Sequence, residues 1–306
     1  MKYLHEHEDF KYFIIEAAKQ VNLSEFIAEK DYWVTYLLKN LVKSKFANEF
    51  VFKGGTCLSK AYNLIERFSE DIDLLMIETD KTQSKTQKEK RLVALREYIN
   101  CLECLNCDKA NSKRAQLYAA FKFIFPTVST NITDSVRKEI LLEPGYRGGT
   151  VPEIQKKPIT SYVEKLVDGK LEGYDTKHFE INVLSAERIF VEKVFALKEI
   201  YDKDNGETLQ KKTRHYYDIY KLLQTNEVQA LLNDKTKLES IVADINEISH
   251  KYYDLESVVW DDLINHIALK PDGELFNNLK QGYKNDKFLY YNQIEFEEII
   301  SALKNL

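Results

Sequence analysis

The sequence predicts an α+β protein, in which a mixed β-sheet with helices is followed by a helical C-terminal region. Two patterns point to this class. Up to about residue 185, segments rich in aromatic and β-branched residues alternate with segments of helical periodicity, and beyond it the helical periodicity continues alone. The 306 residues, 44% hydrophobic and 30% charged, have an ordinary globular composition. We therefore expect an α+β domain over residues 1–185 and a helical domain over residues 186–306.

The individual elements follow from the same periodicities. Helices are predicted over 8–20, 24–44, 56–66 and 85–105, with Ser24 capping the second. Strands are predicted over 50–53, 71–77, 115–125, 135–143 and 179–183. The segments 144–158, rich in Gly and Pro, and 202–212, which is polar, are predicted loops. The C-terminal helices are expected over 186–201, 213–224, 227–248, 254–268, 273–283 and 292–304.

Charge and hydropathy narrow the class of function. A net charge of −5 does not favour binding of nucleic acid by overall charge, although a local basic face would still permit it. The stretch from Lys81 to Lys122 is rich in Lys and Arg, and we expect it to be a solvated helix face. No apolar run is long enough to cross a bilayer, and the first residues lack a signal-peptide core. We therefore expect a cytoplasmic protein without membrane association.

Three of the four cysteines form a C-x-x-C-x-x-C pattern at Cys101, Cys104 and Cys107, and Cys57 stands apart. On a helix the three would share one face. Structural metal sites normally use four ligands, and the fourth would have to come from a distant part of the chain. We therefore expect free, buried thiols in preference to a metal site or a disulfide.

The segment that predicts chemistry surrounds Asp71 and Asp73. In a strand, alternate side chains share a face, so Ser69, Asp71 and Asp73 lie together while Ile72 and Leu74 face a core. Two neighbouring carboxylates repel each other unless a cation lies between them. A hard divalent ion, Mg²⁺ or Mn²⁺, supplies that charge and also binds triphosphate oxygens. We therefore predict that Asp71 and Asp73 are metal ligands.

Gly54 and Gly55 lie between the predicted strand 50–53 and the helix that follows it. Without Cβ atoms, this backbone can approach a phosphate closely at the start of the helix. A tight turn explains the same pair of glycines equally well. The order and spacing of Gly-Gly and Asp-x-Asp together are more specific than either alone.

These two motifs carry a family resemblance. The sequence G-G-T-x-L-x-K, followed by R-F-S-x-D-I-D-L, resembles motif I of the AbiEii toxin nucleotidyltransferases, a branch of the DNA polymerase β-like superfamily. The resemblance implies a nucleotidyltransferase-type mixed sheet, an NTP substrate, a toxin–antitoxin or abortive-infection role with a cognate antitoxin, and an RNA acceptor, since some members modify tRNA. It also implies that motif I binds the nucleotide through Gly54, Gly55, Thr56, Lys60, Arg67 and Ser69. For Arg67, a structural ion pair is an equal alternative.

Two further segments extend the resemblance to about residue 225. Residues 192–197 resemble the family's lysine motif, and residues 214–220 resemble its R-D-x-x-D-L motif, with His215 in place of the first aspartate. The resemblance thus adds Lys193 as a catalytic and nucleotide-binding residue and Asp218 as a catalytic one. Lys193 also lies within the apolar stripe of its helix, where a lysine needs an anion unless it reaches the solvent at the stripe's edge. Both residues imply that the helical domain contributes to the active-site cleft.

The superfamily also uses a third carboxylate on a neighbouring strand, as a general base. The predicted strand 135–143 offers Glu139 and Glu143, of which we favour Glu139 because Lys138-Glu139-Ile140 is closer to the family's strand. Two other functions compete with nucleotide transfer. One is a non-catalytic partner-binding or nucleotide-binding protein that retains the fold. The other is a metal-dependent phosphohydrolase, although the chain lacks the expected His/Asp cluster.

Overall fold

A mixed eight-stranded β-sheet and twelve α-helices make up the computed structural model, which describes residues 1–69, 71–78, 83–115, 117–130, 136–286 and 294–306. This architecture confirms the predicted α+β class. The chain forms two units, a sheet unit of residues 1–62, 68–146 and 156–183 and a helical unit of residues 63–67, 147–155 and 184–306. The domain division at residue 185 stays a prediction. Within the described ranges, every helix is too short or too polar to span a bilayer.

The sheet has the strand order β3-β5-β6-β2-β1-β8-β7, and β4 pairs with β5 outside this path. Its central strand β2 lies antiparallel to β1 and parallel to β6, while β1 is parallel to β8 and β5 is antiparallel to β6. The strands are β1 Phe50–Lys53, β2 Asp71–Met76, β3 Asn106–Cys107, β4 Lys113–Arg114, β5 Ala119–Ile124, β6 Glu139–Gly145, β7 Ile154–Ile159 and β8 Phe179–Leu184.

The helices of the sheet unit are α1 Phe10–Gln20, α2 Glu25–Val42, α3 Gly54–Lys60, α4 Lys85–Asn100 and α5 Tyr162–Val167. Helix α2 begins at the predicted cap Ser24, whose hydroxyl accepts the backbone N–H of Ile27. It is buried almost throughout, and even its charged residues are enclosed. The buried ones have polar partners, for example Lys39, which pairs with Glu164 at 2.6 Å, and Glu29, which accepts hydrogen bonds from the backbone N–H groups of Val128 and Ser129, because a buried charge without a partner is costly.

The helical unit contains α6 Ala186–Asp204, α7 Arg214–Leu223, α8 Asn226–Asn233, α9 Lys235–Tyr253, α10 Trp260–Ile264, α11 Gly273–Asn285 and α12 Phe296–Lys304. Its segment 147–155 is attached to these helices by ion pairs and hydrogen bonds. The buried Arg188 donates to the Val151 carbonyl at 3.5 Å and pairs with Asp244 at 2.5 Å. Arg147, at the start of this segment, forms an ion pair with Glu199 on α6.

Several predicted boundaries are wrong. The helix predicted over 56–66 ends at Lys60, because the chain turns and Asn63 adopts a left-handed conformation that asparagine tolerates. The predicted loop 144–158 contains the end of β6 and most of β7, an edge strand whose Lys and Pro residues are typical of edges. Helix α5 was not predicted, although Ser161 and Glu164 form a capping box that marks its start.

The helix predicted over 85–105 ends at Asn100, so the three clustered cysteines do not share a helix face. Cys101 is exposed, and Cys104 and Cys107 are half-buried, whereas Cys57 is buried. No disulfide joins these four cysteines, and the expectation that they are buried holds only for Cys57.

The C-terminal helices differ from prediction mainly in length. The helix predicted over 227–248 is divided at Asp234, whose side chain caps α9. Only Trp260–Ile264 of the predicted 254–268 is helical, because Asp254 ends α9 in a left-handed conformation. Helix α6 extends into the predicted loop 202–212, which also contains a short 3₁₀ helix, Leu209–Lys211. Parts of three predictions lie outside the described residues, namely positions 116, 135 and 292–293.

Candidate active site

The paired aspartates lie on the central strand, as the alternation of β2 predicts. Ile72 and Leu74 are buried, whereas Asp71 and Asp73 point to the other face and are only partly covered. In the antiparallel register, Asp73 lies opposite Lys53 at the end of β1. The chain then enters α3, so Asp73 lies beside the Gly-Gly turn that the sequence singled out.

Asp73 packs directly over Gly54. A Cβ atom added to Gly54 would lie 2.0 Å from Oδ2 of Asp73, so any other residue at this position would displace the Asp73 carboxylate. Gly54 also has φ +78°, a left-handed conformation that disfavours every residue with a Cβ. Glycine is therefore required here both by the backbone conformation and by the carboxylate above it.

A hydroxyl contact links the first turn of α3 to the aspartate strand. Thr56 Oγ1 donates to the backbone carbonyl of Asp71 at 2.5 Å and lies 3.1 Å from Ser69 Oγ. Thr56 is buried, so these bonds fix the turn against the start of β2. Lys60, also predicted to bind nucleotide, forms a 2.5 Å ion pair with Asp31 on α2, and both side chains are largely covered. In this state the Lys60 ammonium positions α3 against α2.

Two side chains that the sequence did not single out, Arg137 and Tyr118, donate hydrogen bonds to carboxylate oxygens on this face of the sheet. Arg137 Nη1 donates to Asp71 Oδ1 at 2.7 Å. The Tyr118 hydroxyl donates to Glu143 Oε1. Burial, and then this bond to Glu143, raise the pKa of Tyr118 well above its usual value, and the negative charges of Asp73 and Asp71 act in the same direction. Tyr118 therefore lies within the electrostatic field of both aspartates.

The sheet register distinguishes the two glutamates of β6. Because β2 and β6 are parallel and Asp73 is the register partner of Glu143, their side chains point to the same face. Glu139 is the register partner of Ile124 on β5, and its carboxylate lies 3.1 Å from Lys122 Nζ. Glu143 thus lies beside Asp73, whereas Glu139, on the same face of β6, pairs with Lys122 of the neighbouring strand β5.

The carboxylates of Asp71 and Asp73 are ligands that a hard divalent ion prefers. In this structure they are not part of an assembled metal site among the described residues. Among the residues that the structure describes, no three His, Cys, Asp or Glu side chains form a group that holds a metal. The donor set is nevertheless oxygen-rich, and Arg137 already places a cation on Asp71. Asp71 and Asp73 therefore fit Mg²⁺ or Mn²⁺ once the protein donors are released.

The helical unit holds a second cluster, built around Asp218 on α7. Asp218 is fully buried and accepts two hydrogen bonds from Arg67, from Nε and Nη2, each at 2.7 Å. Lys193 on α6 donates to Asp218 Oδ2 at 2.8 Å. Although burial opposes ionisation, the charges of Arg67 and Lys193 hold the pKa of Asp218 well below its usual value. Arg67 therefore makes the structural ion pair that the sequence left as one of two alternatives.

His215 lies beside this cluster. Its Nδ1 is enclosed and has no hydrogen-bonding partner among the described residues. Burial and the positive charge of Lys193 lower the pKa of His215 well below its usual value, against the opposing effect of Asp218. The histidine is therefore neutral. The charged groups of this cluster are thus the carboxylate of Asp218 and the two cations that contact it, Arg67 and Lys193.

The structure thus distributes the predicted site residues between two clusters. The sheet unit brings together Asp71, Asp73, Gly54, Gly55, Thr56 and Ser69, and the helical unit brings together Arg67, Lys193 and Asp218. In the predicted basic stretch, three of the cations, Lys88, Arg91 and Arg96, pair with Glu78, Glu49 and Glu97.

A mixed sheet with paired carboxylates beside a Gly-Gly turn defines this protein as a nucleotidyltransferase. Residues 36–287 match the family described as nucleotidyl transferase AbiEii toxin of type IV toxin–antitoxin systems, and the chain belongs to that family. Among solved structures it is similar to MenT4, a nucleotidyltransferase toxin from Mycobacterium tuberculosis H37Rv, with a TM-score of 0.62 and 12% identity over 95% of this chain and 87% of that chain. At this identity the likeness shows a shared fold. A search of curated protein sequences finds no match.

Proposed function

We propose that the protein transfers a nucleotide from an NTP to an RNA acceptor, with tRNA as the expected acceptor, and that Asp71 and Asp73 hold a catalytic Mg²⁺ or Mn²⁺. The main support is the packing of Asp73 directly over Gly54, where any side chain larger than that of glycine would push the carboxylate out of place. Such a requirement is expected where a carboxylate must be held in one position. The bound metal would stabilise the charge that develops on the phosphate oxygens.

The reaction balances with groups that the sheet face offers. The acceptor hydroxyl oxygen attacks the α-phosphorus of the NTP, the bond between that phosphorus and the β-phosphate oxygen breaks, and pyrophosphate leaves. The hydroxyl proton must pass to a base. We propose Glu143 for this role, in place of Glu139. Glu143 is the register partner of Asp73, and its carboxylate already accepts a hydrogen bond from the hydroxyl of Tyr118.

The cluster in the helical unit suits the binding of a polyphosphate. Arg67, Lys193 and Asp218 together carry one net positive charge. Arg67 is committed to Asp218 through two bonds, whereas Lys193 uses one of its three N–H groups for Asp218 and retains a small exposed fraction. We propose that Lys193 contacts the triphosphate and that Asp218 and Arg67 position it.

We propose that both clusters serve one reaction, so that the helical domain contributes to the active-site cleft. The family match spans residues 36–287 and so includes both clusters. The short segment from Arg67 to Asp73 also supplies residues to each, since Arg67 holds Asp218 and the two aspartates follow within six positions. A cognate antitoxin is the protein partner that a type IV toxin–antitoxin family implies.

The function is tested by incubating the purified protein with each of the four α-³²P-labelled NTPs, Mg²⁺ and tRNA, and then with tRNA omitted. We expect label to enter the RNA with at least one NTP and to require the metal. Intact NTP in every reaction would support the non-catalytic alternative. Conversion of the NTP to nucleoside diphosphate and inorganic phosphate, without labelled RNA, would support a phosphohydrolase.

A further inference from the structure

We propose that Arg137 is a built-in counter-ion of the metal site, which holds Asp71 in the metal-free protein and must be displaced before the metal binds. The inference rests on the proposed role of Asp71 as a metal ligand. It assigns a function to a residue just before β6 that the motifs do not include. Arg137 thereby sets how tightly the site binds a divalent ion in the absence of NTP.

The contact itself has the geometry of a specific interaction. Arg137 Nη1 lies 2.7 Å from Asp71 Oδ1, and the Asp71 side chain is 15% exposed. A charge-assisted bond of this length occupies one of the two oxygens that a metal would use. Because the Arg137 side chain is 43% exposed, water can replace its hydrogen bond to Asp71 when a metal displaces it.

A buried hydrogen bond holds the backbone of Arg137, so the position of its contact with Asp71 is set by the fold. The carbonyl oxygen of Arg137 accepts a 2.7 Å hydrogen bond from the ammonium of Lys30. Lys30 is fully buried on α2, so this bond is costly to lose. The bond from Lys30 holds the backbone just before β6, so the Arg137 side chain always starts from the same position.

The neighbouring glutamate is held in the same way. The Tyr118 hydroxyl binds Glu143, and within the described part of the chain no group of three potential ligands is assembled for a metal. Protein donors thus occupy one oxygen of Asp71 and one oxygen of Glu143 in the metal-free protein. Releasing the Arg137 contact removes a direct competitor for Asp71, so the affinity for a divalent ion should rise.

The experiment measures Mn²⁺ binding to the full-length protein without NTP, by electron paramagnetic resonance of the free ion. Arg137→Gln removes the guanidinium. Lys138→Gln is the matched control, because Lys138 is the next residue, is exposed and undergoes the same change of charge. We expect Arg137→Gln to lower the Kd for Mn²⁺ by about threefold to tenfold. The control should change it by less than about twofold, since Arg137 contacts Asp71 directly, whereas no ion pair joins the described residues Lys138 and Asp71 and a charge at a distance is screened.

An equal shift in both variants, or no shift in Arg137→Gln, would overturn the inference and leave the proposed metal site intact. Wild-type protein and both variants all failing to bind Mn²⁺ would instead contradict the metal site itself. Asp73→Asn identifies binding at this site, because it should abolish the high-affinity component. Circular dichroism checks the fold of each variant, and Arg137→Lys provides a second test. A lysine keeps the charge without the planar fork, so its Kd should fall between those of wild type and Arg137→Gln.

Discussion

The buried Asp218 offers the sharpest test of how the helical unit is held together. Substitution by asparagine keeps the shape of the side chain and removes its charge. The carboxylate accepts three charge-assisted bonds, two from Arg67 and one from Lys193, and it is fully buried. In Asp218→Asn both cations lose this carboxylate, and the amide NH2 group of the asparagine faces their donors.

Removing one partner of a buried ion pair typically costs about 3–5 kcal/mol. We therefore expect Asp218→Asn to lower the free energy of unfolding by about that amount, measured by urea unfolding at pH 7 with circular dichroism. The control is Asp202→Asn, since Asp202 is 43% exposed and pairs at the surface of α6, mainly with Lys198 at 2.5 Å and more loosely with His266 at 3.4 Å. That pair should contribute about 0.5 kcal/mol. Equal losses in the two variants would refute the view that Asp218 neutralises a buried cluster.

The same pair of proteins gives a pH test. Arg67 and Lys193 hold the pKa of Asp218 below its usual value against the effect of burial, whereas aspartates of the unfolded chain titrate near about 3.9. As the pH falls, the unfolded state therefore takes up this proton first, and the stability that Asp218 contributes is lost below about pH 4. The difference between wild type and Asp218→Asn should be constant from pH 5 to pH 7 and should narrow towards pH 3. A constant difference down to pH 3 would contradict the lowered pKa.

Two further predictions concern activity. Gly54→Ala should reduce transfer by at least about 10²-fold because its Cβ displaces Asp73. Gly169→Ala is the matched control, since it adds the same left-handed strain of about 1–2 kcal/mol in open space and should leave the transfer rate unchanged. Lys193→Met should slow transfer by about 10²–10³-fold but change stability by less than about 1 kcal/mol, because Arg67 still neutralises Asp218. Transfer rates and urea midpoints measure both, and normal transfer in either Gly54→Ala or Lys193→Met would contradict the assigned role.

Local patterns predicted much of the sheet unit around the site. The alternation of Asp71, Ile72 and Asp73 is a property of any strand with one buried face, so it could be read from the sequence. The Gly-Gly turn could also be recognised in the sequence, but the reason why glycine is needed there could not. Only the structure shows that Asp73 occupies the space a Cβ of Gly54 would need.

Contacts between distant parts of the chain were beyond such patterns. Arg137 lies 66 positions after Asp71, and the pairing depends on how β6 aligns with β2. The preference between Glu139 and Glu143 depends on the same register, which no single strand encodes. Arg67 and Asp218 are 151 positions apart, so the sequence could only offer an ion pair as one of two roles for Arg67.

The central claim, nucleotide transfer by the aspartate site, is tested most directly by comparing α-³²P and γ-³²P NTP in parallel reactions of wild type and Asp73→Asn. We predict that the α label becomes attached to RNA and that the γ label leaves as pyrophosphate, in wild type alone. Attachment of the γ label to RNA, or full activity of Asp73→Asn, would contradict the account.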